Sequence, residues 1–380
     1  MIALSGLILG TILVFYILVG YPLYLAWARH AHAPAIQKNP AFKPRVSILL
    51  AVHNGENFLR NKLESLLSLN YPKELLEIFV LSDGSTDSTD SIALIYADRN
   101  IRLFRLPKGG KAAALNAGLA MAKGEVIFFT DVRQRLDPDS LSELVANFGD
   151  PTVGAVTGEL RYTTPGEDEL ADMDLYWRYE LWVRGRHSEI DSLFNTTGCI
   201  YAMRKDLIAP LPADTLTDDA VLPLRAFHLG YRVIFDPAAI AYDYPTFKGE
   251  EFRRRMRTLA GLWQVYSRMP DLFQFWRRMR WHFLSHKFSR LALPWAILLI
   301  LVSTYFLHPS TVRTFLLWNE MMLPALALLD ELLPAGFPLK RLTSAANTFV
   351  MLNIASLCSI SIFFLPPQAM WKAPTKVEMK

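Results

Sequence analysis

Long stretches without a charged side chain constrain this sequence more than any other feature. Residues 2–28 contain no Asp, Glu, Lys or Arg, and Arg29 is the first charged residue. A helix of that length spans a hydrocarbon core of roughly 30 Å. A cleaved signal peptide is the alternative, but no basic residue precedes the run, and the run is longer than the apolar region of such a peptide. We therefore predict an N-terminal transmembrane helix at residues 1–28.

The C-terminal part contains two more uncharged stretches, residues 291–312 and 342–371. The segment between them, 314–333, is apolar but carries three acidic residues, and charges at membrane depth are costly. It is either a third span with its acids near the ends or a helix in the membrane plane, and we favour a span. The C-terminal transmembrane region at 291–371 is thus expected to contain two to three spans.

Basic and aromatic residues are interleaved just before these spans. Residues 253–290 contain ten Lys and Arg but one acid, together with several Trp and Phe. Such segments are typical of amphipathic helices that contact anionic lipid headgroups. Because hydrophobic spans follow directly, we predict interface helices at 251–290, with membrane lipids as partners and no nucleic acid. The two cysteines, Cys199 and Cys358, form no disulfide framework, which suits a reducing compartment.

Charge distribution also predicts an orientation. The positive-inside rule places the basic middle region in the cytoplasm of a multi-pass protein of the plasma or inner membrane. If 314–333 spans, the C-terminal tail with Lys372, Lys376 and Lys380 lies outside, which the rule disfavours. The sequence leaves this conflict open.

Strand and helix patterns alternate after a Pro-rich linker at residues 33–44. Continuous apolar runs, typical of buried parallel strands, alternate with segments of helical spacing. Strands are predicted at Val46–Val52, Ile78–Leu81, Ile101–Leu106, Val126–Thr130, Val153–Thr157 and Arg232–Phe235, and helices at Glu56–Leu69, Thr86–Tyr96, Lys111–Ala122, 138–148, Glu167–Glu189 and Asp218–Leu229. This predicts one α/β domain at 45–250, with an open, mostly parallel sheet and helices on both faces.

Short polar motifs lie at or near the ends of these elements, where open α/β sheets bind ligands. They are His53-Asn-Gly-Glu56, Asp83-Gly-Ser-Thr-Asp87, the Lys108–Gly118 segment, Asp131-Val-Arg133, Thr217-Asp-Asp219 and Arg254-Arg-Met-Arg257. Each alone has a structural interpretation. The Asp83–Asp87 motif is also a turn and helix cap, and acids at 218–219 favour a helix N-terminus.

Taken in order, and next to hydrophobic spans, these motifs resemble those of membrane-embedded family 2 glycosyltransferases. The resemblance covers residues 45 to about 268 and implies a GT-A fold, a Rossmann-like α/β architecture. It implies catalytic roles for Asp219, Asp218 and Arg257, and donor-binding roles for Asn54, Glu56, Asp83, Lys111, Asn116, Asp131, Arg133 and Arg254.

The chemistry of a nucleotide-sugar donor fits these residue types. Carboxylates such as Glu56 and Asp83 can accept hydrogen bonds from the base and ribose. Lys111 and the amides of Gly109 and Gly110, at a helix N-terminus, can meet the diphosphate.

The resemblance assigns the catalytic roles. Asp219 takes the position of the base that removes the acceptor's proton. Asp218 replaces the usual Glu, and two adjacent carboxylates raise one another's pKa. Arg257 would stabilise the charge that develops on the leaving group.

Two positions depart from the family pattern. Arg133 stands where the second aspartate of the Asp-x-Asp metal site belongs. Three interpretations are open. Arg133 could neutralise the diphosphate itself, or Asp131 could still bind Mg²⁺ or Mn²⁺ with most other ligands from donor phosphates. The third interpretation is an inactive relative. Thr258 stands where Trp is usual, which puts a stacking role towards the acceptor in doubt.

The function that the resemblance implies is inverting transfer of a sugar, with a UDP-sugar as the expected donor. The acceptor is a lipid or glycan held at the membrane, the new bond is β-glycosidic, and the product is a polysaccharide or glycolipid. One alternative is a polyprenyl-phosphate sugar transferase, whose ionised acceptor needs no base. Another is a non-catalytic membrane scaffold that binds nucleotide sugars. The sugar, the acceptor, the product length and the oligomeric state stay open.

Overall fold

Two compact units make up the computed structural model, which describes residues 1–28, 33–163, 175–244, 248–274, 278–334 and 336–370. The described residues between 33 and 244 form an α/β unit, and those of 1–28 and 248–370 form a unit built of helices.

The α/β unit contains one sheet of eight strands. In chain order, β1 to β8 are Val46–Val52, Leu76–Asp83, Ile101–Leu106, Val126–Thr130, Arg135–Leu136, Val153–Tyr162, Tyr201–Arg204 and Arg232–Asp243. Their order across the sheet is β3-β2-β1-β4-β7-β6-β8-β5. The first four strands in this order are parallel. Strand β7 is antiparallel to both of its neighbours, β6 and β8 are parallel, and β5 pairs antiparallel with β8.

Eleven helices are named here, from α1 to α11 in chain order. They are Ile2–Trp27, Glu56–Leu67, Thr89–Ile95, Lys111–Met121, Ser140–Ala146, Leu175–Ile190, Asp218–His228, Lys248–Arg268, Arg280–Tyr305, Thr311–Leu332 and Lys340–Phe363. Helices α2 to α7 belong to the α/β unit, and the others belong to the helical unit.

Layers on both faces of the sheet explain the continuous apolar runs. In β1, Ile48 and Leu50 belong to the same buried cluster as Leu59 and Leu63 of α2. On the opposite face α4 approaches so closely that a Cβ at Gly118 would lie 2.7 Å from a Leu81 methyl group. A strand covered on both faces has no polar side, so its sequence does not alternate.

The predicted α/β architecture is confirmed, and β1, β3 and β4 have the predicted bounds. The sheet extends further than expected on its other side, because β6 and β8 continue as far as Tyr162 and Asp243. The two-residue strand β5 has no periodicity of its own and exists only because it pairs with β8. For the helix predicted at Glu167–Glu189, residues 167–174 lie outside the described residues. The described helix α6 begins at Leu175.

Four helices of the other unit are long and apolar enough to cross a membrane, namely α1, α9, α10 and α11. All but the last residue of the segment 314–333 lies within α10, one of these four. Large apolar side chains of α10 are exposed, including Phe315 and Trp318, which is the arrangement expected of a lipid-facing surface. The predicted C-terminal tail beyond residue 370 lies outside the described residues.

Polar contacts and small residues hold these helices together. Gly10 of α1 packs against α9, where an added Cβ would lie 2.7 Å from Ile300, a close approach that small residues permit. Asp330, near the end of α10, is 1% exposed and pairs with Lys340 of α11 at 2.9 Å. One of the three acids that made 314–333 ambiguous is thus neutralised by its neighbour in the helix hairpin, as buried ionisable groups in apolar helices require.

Candidate functional site

The loops after β1 and β2 are joined side by side at the carboxyl end of the sheet. Asn54, with φ of 52°, accepts a hydrogen bond from the amide of Thr86 at 2.8 Å, and its own amide donates to Ser85 Oγ at 3.1 Å. Glu56 accepts from the amide of Ser88 at 3.1 Å and donates its own amide to Asp87 at 3.0 Å. These reciprocal bonds couple the start of α2 to the loop before α3 and build one rigid wall.

Asp83, the last residue of β2, holds the glycine turn before α4. Its carboxylate is 7% exposed and accepts from the amides of Gly109, at 2.7 Å, and Gly110, at 3.0 Å. In this structure Asp83 binds both amides, so their expected contact with a diphosphate stays a prediction and would require these hydrogen bonds to be shared or broken. Lys111, the first residue of α4, is left as the cationic group at this helix N-terminus.

The ammonium group of Lys111 lies between two carboxylates. Its Nζ is 2.9 Å from Asp131 Oδ1 and 3.0 Å from Asp218 Oδ1. Burial acts to lower the pKa of Lys111, but the negative charges of Asp131 and Asp218 outweigh it and raise that pKa. The charged lysine thus connects the end of β4 to the start of α7, so two of the predicted motifs come together around one cation.

The adjacent acids Asp218 and Asp219 have different surroundings. Asp218 is buried and also accepts a hydrogen bond from the hydroxyl of Tyr201 at 2.8 Å. Asp219 is half-buried, and its carboxylate accepts no hydrogen bond within the described part of the chain. Burial, followed by the negative charge of Asp218, raises the pKa of Asp219 to about 7. A Cβ added at Gly198 would lie 3.4 Å from its Oδ2, so the turn at Gly198 borders this carboxylate.

Arg133 binds a partner that the sequence did not indicate. Its Nε donates to Asp243 Oδ1 at 2.7 Å, and a second guanidinium nitrogen donates to the carbonyl of Tyr244. Asp243, at the end of β8, is buried and also accepts from Gln134 at 2.7 Å. The expected contact between Arg133 and a diphosphate would require this ion pair to open.

The residues offer a divalent cation little by themselves. Among the residues that the structure describes, no group of three His, Cys, Asp or Glu is arranged to hold a metal ion. Asp131 supplies one carboxylate after β4, and that carboxylate is already paired with Lys111. Since Mg²⁺ and similar hard cations take about six oxygen ligands, a metal would fit here only with most ligands from a donor diphosphate.

Three predicted residues have other positions or partners. The side-chain amide of Asn116 both donates to and accepts from the backbone of Leu211, each at 2.8 Å, so it fastens the segment before α7 onto α4. Arg254 forms a bidentate pair with Glu251 on α8, with contacts of 2.8 and 2.9 Å. Arg257 is partly buried on the same helix. Both arginines belong to the helical unit, and their assigned roles stay predictions.

Sequence reasoning missed two side chains that shape the site. Tyr201 is fully buried, stacks on Phe129 with ring centroids 4.5 Å apart, and binds Asp218. Asp243 neutralises Arg133. Tyr201 stands in the segment Gly198–Arg204, which resembles a small-residue loop of the family, but its contact with Asp218 was not indicated, and Asp243 stands in no recognisable motif. Tyr201 reaches the site only because β7 pairs with β4 in the register that sets it opposite Phe129.

Comparison with known proteins gives a consistent result. The chain is 28% identical over 274 residues to the probable glycosyltransferase YdaM of Bacillus subtilis. That alignment covers 69% of this chain and 64% of YdaM. It is 25% identical over 231 residues to the poly-beta-1,6-N-acetyl-D-glucosamine synthase of Staphylococcus aureus, covering 59% of this chain and 56% of the synthase. The chain therefore spans less than two thirds of either relative.

A solved structure shares the fold. The mannosyltransferase PcManGT from Pyrobaculum calidifontis, determined in complex with GDP-Man and Mn²⁺, matches with a TM-score of 0.77 at 21% identity, over 96% of this chain and 99% of that one. This likeness shows a GT-A fold. Residues 47–210, which contain β2, β3, β4 and the Asp83 and Asp131 motifs, match the model of glycosyl transferase family 2. Over that segment the chain is similar to glycosyl transferase family 2.

Proposed function

We propose that this protein is an inverting glycosyltransferase that moves a sugar from a nucleotide-sugar donor to a membrane-held acceptor and forms a β-glycosidic bond. The observation that carries the proposal is the pair of acids at the start of α7. Asp218 is bound by Lys111 and Tyr201, whereas Asp219 keeps a carboxylate without hydrogen bonds among the described residues and a pKa of about 7. A carboxylate that titrates near neutral pH is suited to general-base catalysis.

The proposed reaction is a single displacement at the anomeric carbon of the donor. The ionised carboxylate of Asp219 takes the proton of an acceptor hydroxyl while the hydroxyl oxygen bonds to the anomeric carbon of the donor. The bond from that carbon to the diphosphate breaks on the opposite face, and the nucleoside diphosphate leaves with the electron pair. We propose that the ammonium group of Lys111, which lies beside Asp131 after β4, stabilises the negative charge that develops on the diphosphate.

The wall formed by the loops after β1 and β2 supports nucleotide binding. Glu56 and Asp83 are the proposed acceptors for the base and ribose, and Asn54 fixes the loop between them. Asp83 already accepts two glycine amides, so a contact with the nucleotide would use its remaining lone pairs. Mg²⁺ or Mn²⁺ bound by Asp131 and the donor would supply neutralising charge to the diphosphate. The cation is proposed as weakly held, because one carboxylate anchors it.

The identity of the donor is proposed from two relatives that point to different sugars. One is named as a synthase of poly-beta-1,6-N-acetyl-D-glucosamine, and another was solved with GDP-Man. A UDP-sugar is our preferred donor, with polysaccharide or glycolipid as the product. The four candidate spans support an acceptor held at the membrane. We place the protein in the cell membrane with its α/β unit in the cytoplasm, where nucleotide sugars are made.

The proposal is tested with full-length protein purified in detergent. A panel of UDP- and GDP-sugars is supplied with membrane lipid extract or oligosaccharide, and both released nucleotide and glycosylated acceptor are measured. Release of one nucleotide together with a β-linked product is expected. Donor binding without transfer for every donor and acceptor would favour the non-catalytic scaffold instead.

A single substitution tests the role of the base. Asp219→Asn should reduce transfer by on the order of 10²–10⁴-fold and leave donor affinity within a few-fold, since the amide keeps the shape of the side chain. The matched control is Asp191→Asn, a carboxylate of the same unit at the end of α6. Transfer that survives in Asp219→Asn, with a polyprenyl phosphate as acceptor, would contradict the base assignment and favour the polyprenyl-phosphate alternative.

A further inference from the structure

A buried lysine lies directly beneath the Asp131 segment. Lys62 of α2 is 1% exposed, and its Nζ donates to Thr130 Oγ1 at 2.6 Å and to the carbonyl oxygen of Gln134 at 2.8 Å. Both acceptors are neutral, and no carboxylate forms an ion pair with it in the described residues. Burying an ammonium group without a counter-ion is unfavourable, and burial lowers the pKa of Lys62 to about 8. An apolar residue of similar length would fill this position at lower cost.

The two hydrogen bonds of Lys62 are made to the residues on either side of Asp131–Arg133. Thr130 is the last residue of β4 and directly precedes Asp131, and Gln134 directly follows Arg133. Lys62 therefore binds the chain immediately before and immediately after the three residues Asp131–Arg133. A segment held at both ends by one rigid helix has little freedom to move when a ligand binds.

The same contacts continue towards the proposed base. The hydroxyl of Thr130 accepts from Lys62 and donates to the carbonyl of Cys199 at 2.8 Å. Cys199 follows Gly198, whose position borders the carboxylate of Asp219. One ammonium group is thus linked by consecutive hydrogen bonds to the Asp131 segment on one side and to the turn beside Asp219 on the other.

We propose that Lys62 is a positioning residue for sugar transfer, which fixes Asp131 and the Gly198 turn relative to each other without touching the substrate. The inference rests on the proposed function. Its charge adds a second effect, since the carboxylates of Asp131 and Asp243 both attract it. A fixed positive charge below the segment opposes displacement of Asp131 when a negatively charged diphosphate approaches.

The test compares two substitutions on one helix in the full-length protein. Lys62→Met keeps the length of the side chain and removes every donor. Ser65→Ala is the control, because Ser65 is also buried on α2 but exchanges its hydrogen bonds with the backbone of Leu136, beyond the Asp131 segment. Thermal unfolding, the kcat of sugar transfer and the KM for donor are measured for both variants.

If Lys62 positions the site, its substitution should reduce kcat by more than a loss of thermal stability alone would explain. Lys62→Met should melt cooperatively and lose about 10–100-fold in kcat, with a smaller change in the KM for donor. Ser65→Ala should melt at a lower temperature and keep its kcat. Equal kcat for Lys62→Met and wild type, or an equal loss in Ser65→Ala, would overturn the inference. If Lys62→Met does not fold, Thr130→Val replaces it, because valine keeps the branched shape and removes the hydroxyl that joins Lys62 to Cys199.

The two proposals fail in different ways. Wild-type protein that transfers no sugar from any donor contradicts the proposed function and the role of Lys62 with it. Wild-type protein that transfers sugar, together with a fully active Lys62→Met or Thr130→Val, contradicts the role of Lys62 alone.

Discussion

At the scale of single residues, neighbours with the same chemistry have separate tasks. Asp218 and Asp219 are adjacent and both acidic, yet Asp218 is bound by Lys111 and Tyr201, and Asp219 has a pKa raised to about 7. The difference arises because a helix turns by about 100° between successive residues, so the two side chains point in different directions.

The pH dependence of transfer follows from Asp219. A base must be ionised, so kcat/KM should rise with pH up to about 7 and level off above it. Asp218→Asn removes a negative charge that raises the pKa of Asp219, and its acidic limb should move to lower pH. Lys111→Met removes a positive charge that lowers this pKa, and its limb should move to higher pH. Steady-state kinetics from about pH 5 to about pH 9 measures both shifts. Movement of both variants in one direction would rule out Asp219 as the titrating group.

Metal dependence is the prediction attached to Arg133. Because Asp131 is the only carboxylate of the motif and Arg133 is paired with Asp243, divalent cations should bind weakly, and chelation with EDTA should reduce transfer only in part. Arg133→Asp restores the second carboxylate of the family motif but leaves Asp243 without its arginine, so Arg133→Asp combined with Asp243→Asn is the better variant. It should depend more strongly on Mn²⁺ than wild type does.

Titration of activity with Mn²⁺ after chelation gives the answer for wild type and the double variant together. Complete loss of wild-type activity in EDTA, with full recovery in micromolar Mn²⁺, would show an ordinary metal site. The prediction that divalent cations bind weakly because Arg133 replaces a carboxylate would then be wrong.

At the scale of elements, the site depends on tight loops at the carboxyl ends of β1 and β2. Gly84 directly follows β2 and has φ of 60°, and a Cβ there would lie 2.9 Å from the backbone nitrogen of Lys108. The loop after β2 and the glycine turn before α4 can approach each other only without that Cβ. Their contact is also what lets Asp83 bind the amides of Gly109 and Gly110.

Substitution of Gly84 tests this approach. Gly84→Ala should reduce the free energy of unfolding by about 1–3 kcal/mol. It should also raise the KM for donor, because the loop after β2 must move away from the glycine turn before α4. Gly230→Ala is the matched control: its φ is also positive, at 94°, but nothing lies within 4 Å of an added Cβ. It should lose less stability and keep its KM. Denaturant unfolding and donor kinetics measure both, and equal effects in the two variants would mean that the contact with Lys108 is unimportant.

At the scale of the whole molecule, an α/β unit and a helical unit with four candidate spans occur in one chain. The α/β unit comes between the first candidate span and the other three, so its ends connect to apolar helices on both sides. This order of segments along the chain is the reason for proposing an acceptor that is held at the membrane.

Topology is the prediction at this scale. We expect the residues between α1 and α9 to lie in the cytoplasm, because the basic segment 253–290 follows the positive-inside rule. In a variant with Cys199 and Cys358 replaced by serine, a cysteine at position 248 should react with a membrane-impermeant thiol reagent only after the membrane is opened. Labelling in intact cells would contradict this orientation. A cysteine at position 308, between α9 and α10, is the control expected to react from outside.

Local sequence determined the parallel half of the sheet and the order of the motifs. Buried strands such as Val46–Val52 are continuous apolar runs, and the helices between them have clear periodicity, so β1, β3 and β4 could be predicted with their bounds. The candidate membrane helices α1, α9 and α11 were predictable for a similar reason, since each overlaps an uncharged stretch that is long enough to span a bilayer.

Only the tertiary structure decided which side chains meet. Lys111 lies between Asp131 and Asp218, Arg133 turns to Asp243, and Lys62 binds both ends of the Asp131 segment. These partners are 20 to 110 residues apart in the sequence, and no local pattern records their distance. Pairing and charge depend on the order of strands across the sheet and on burial, which exist only once the chain has folded. For that reason the sequence indicated candidate residues, whereas the fold decided which of them are neutralised and left the carboxylate of Asp219 for the proposed role of base.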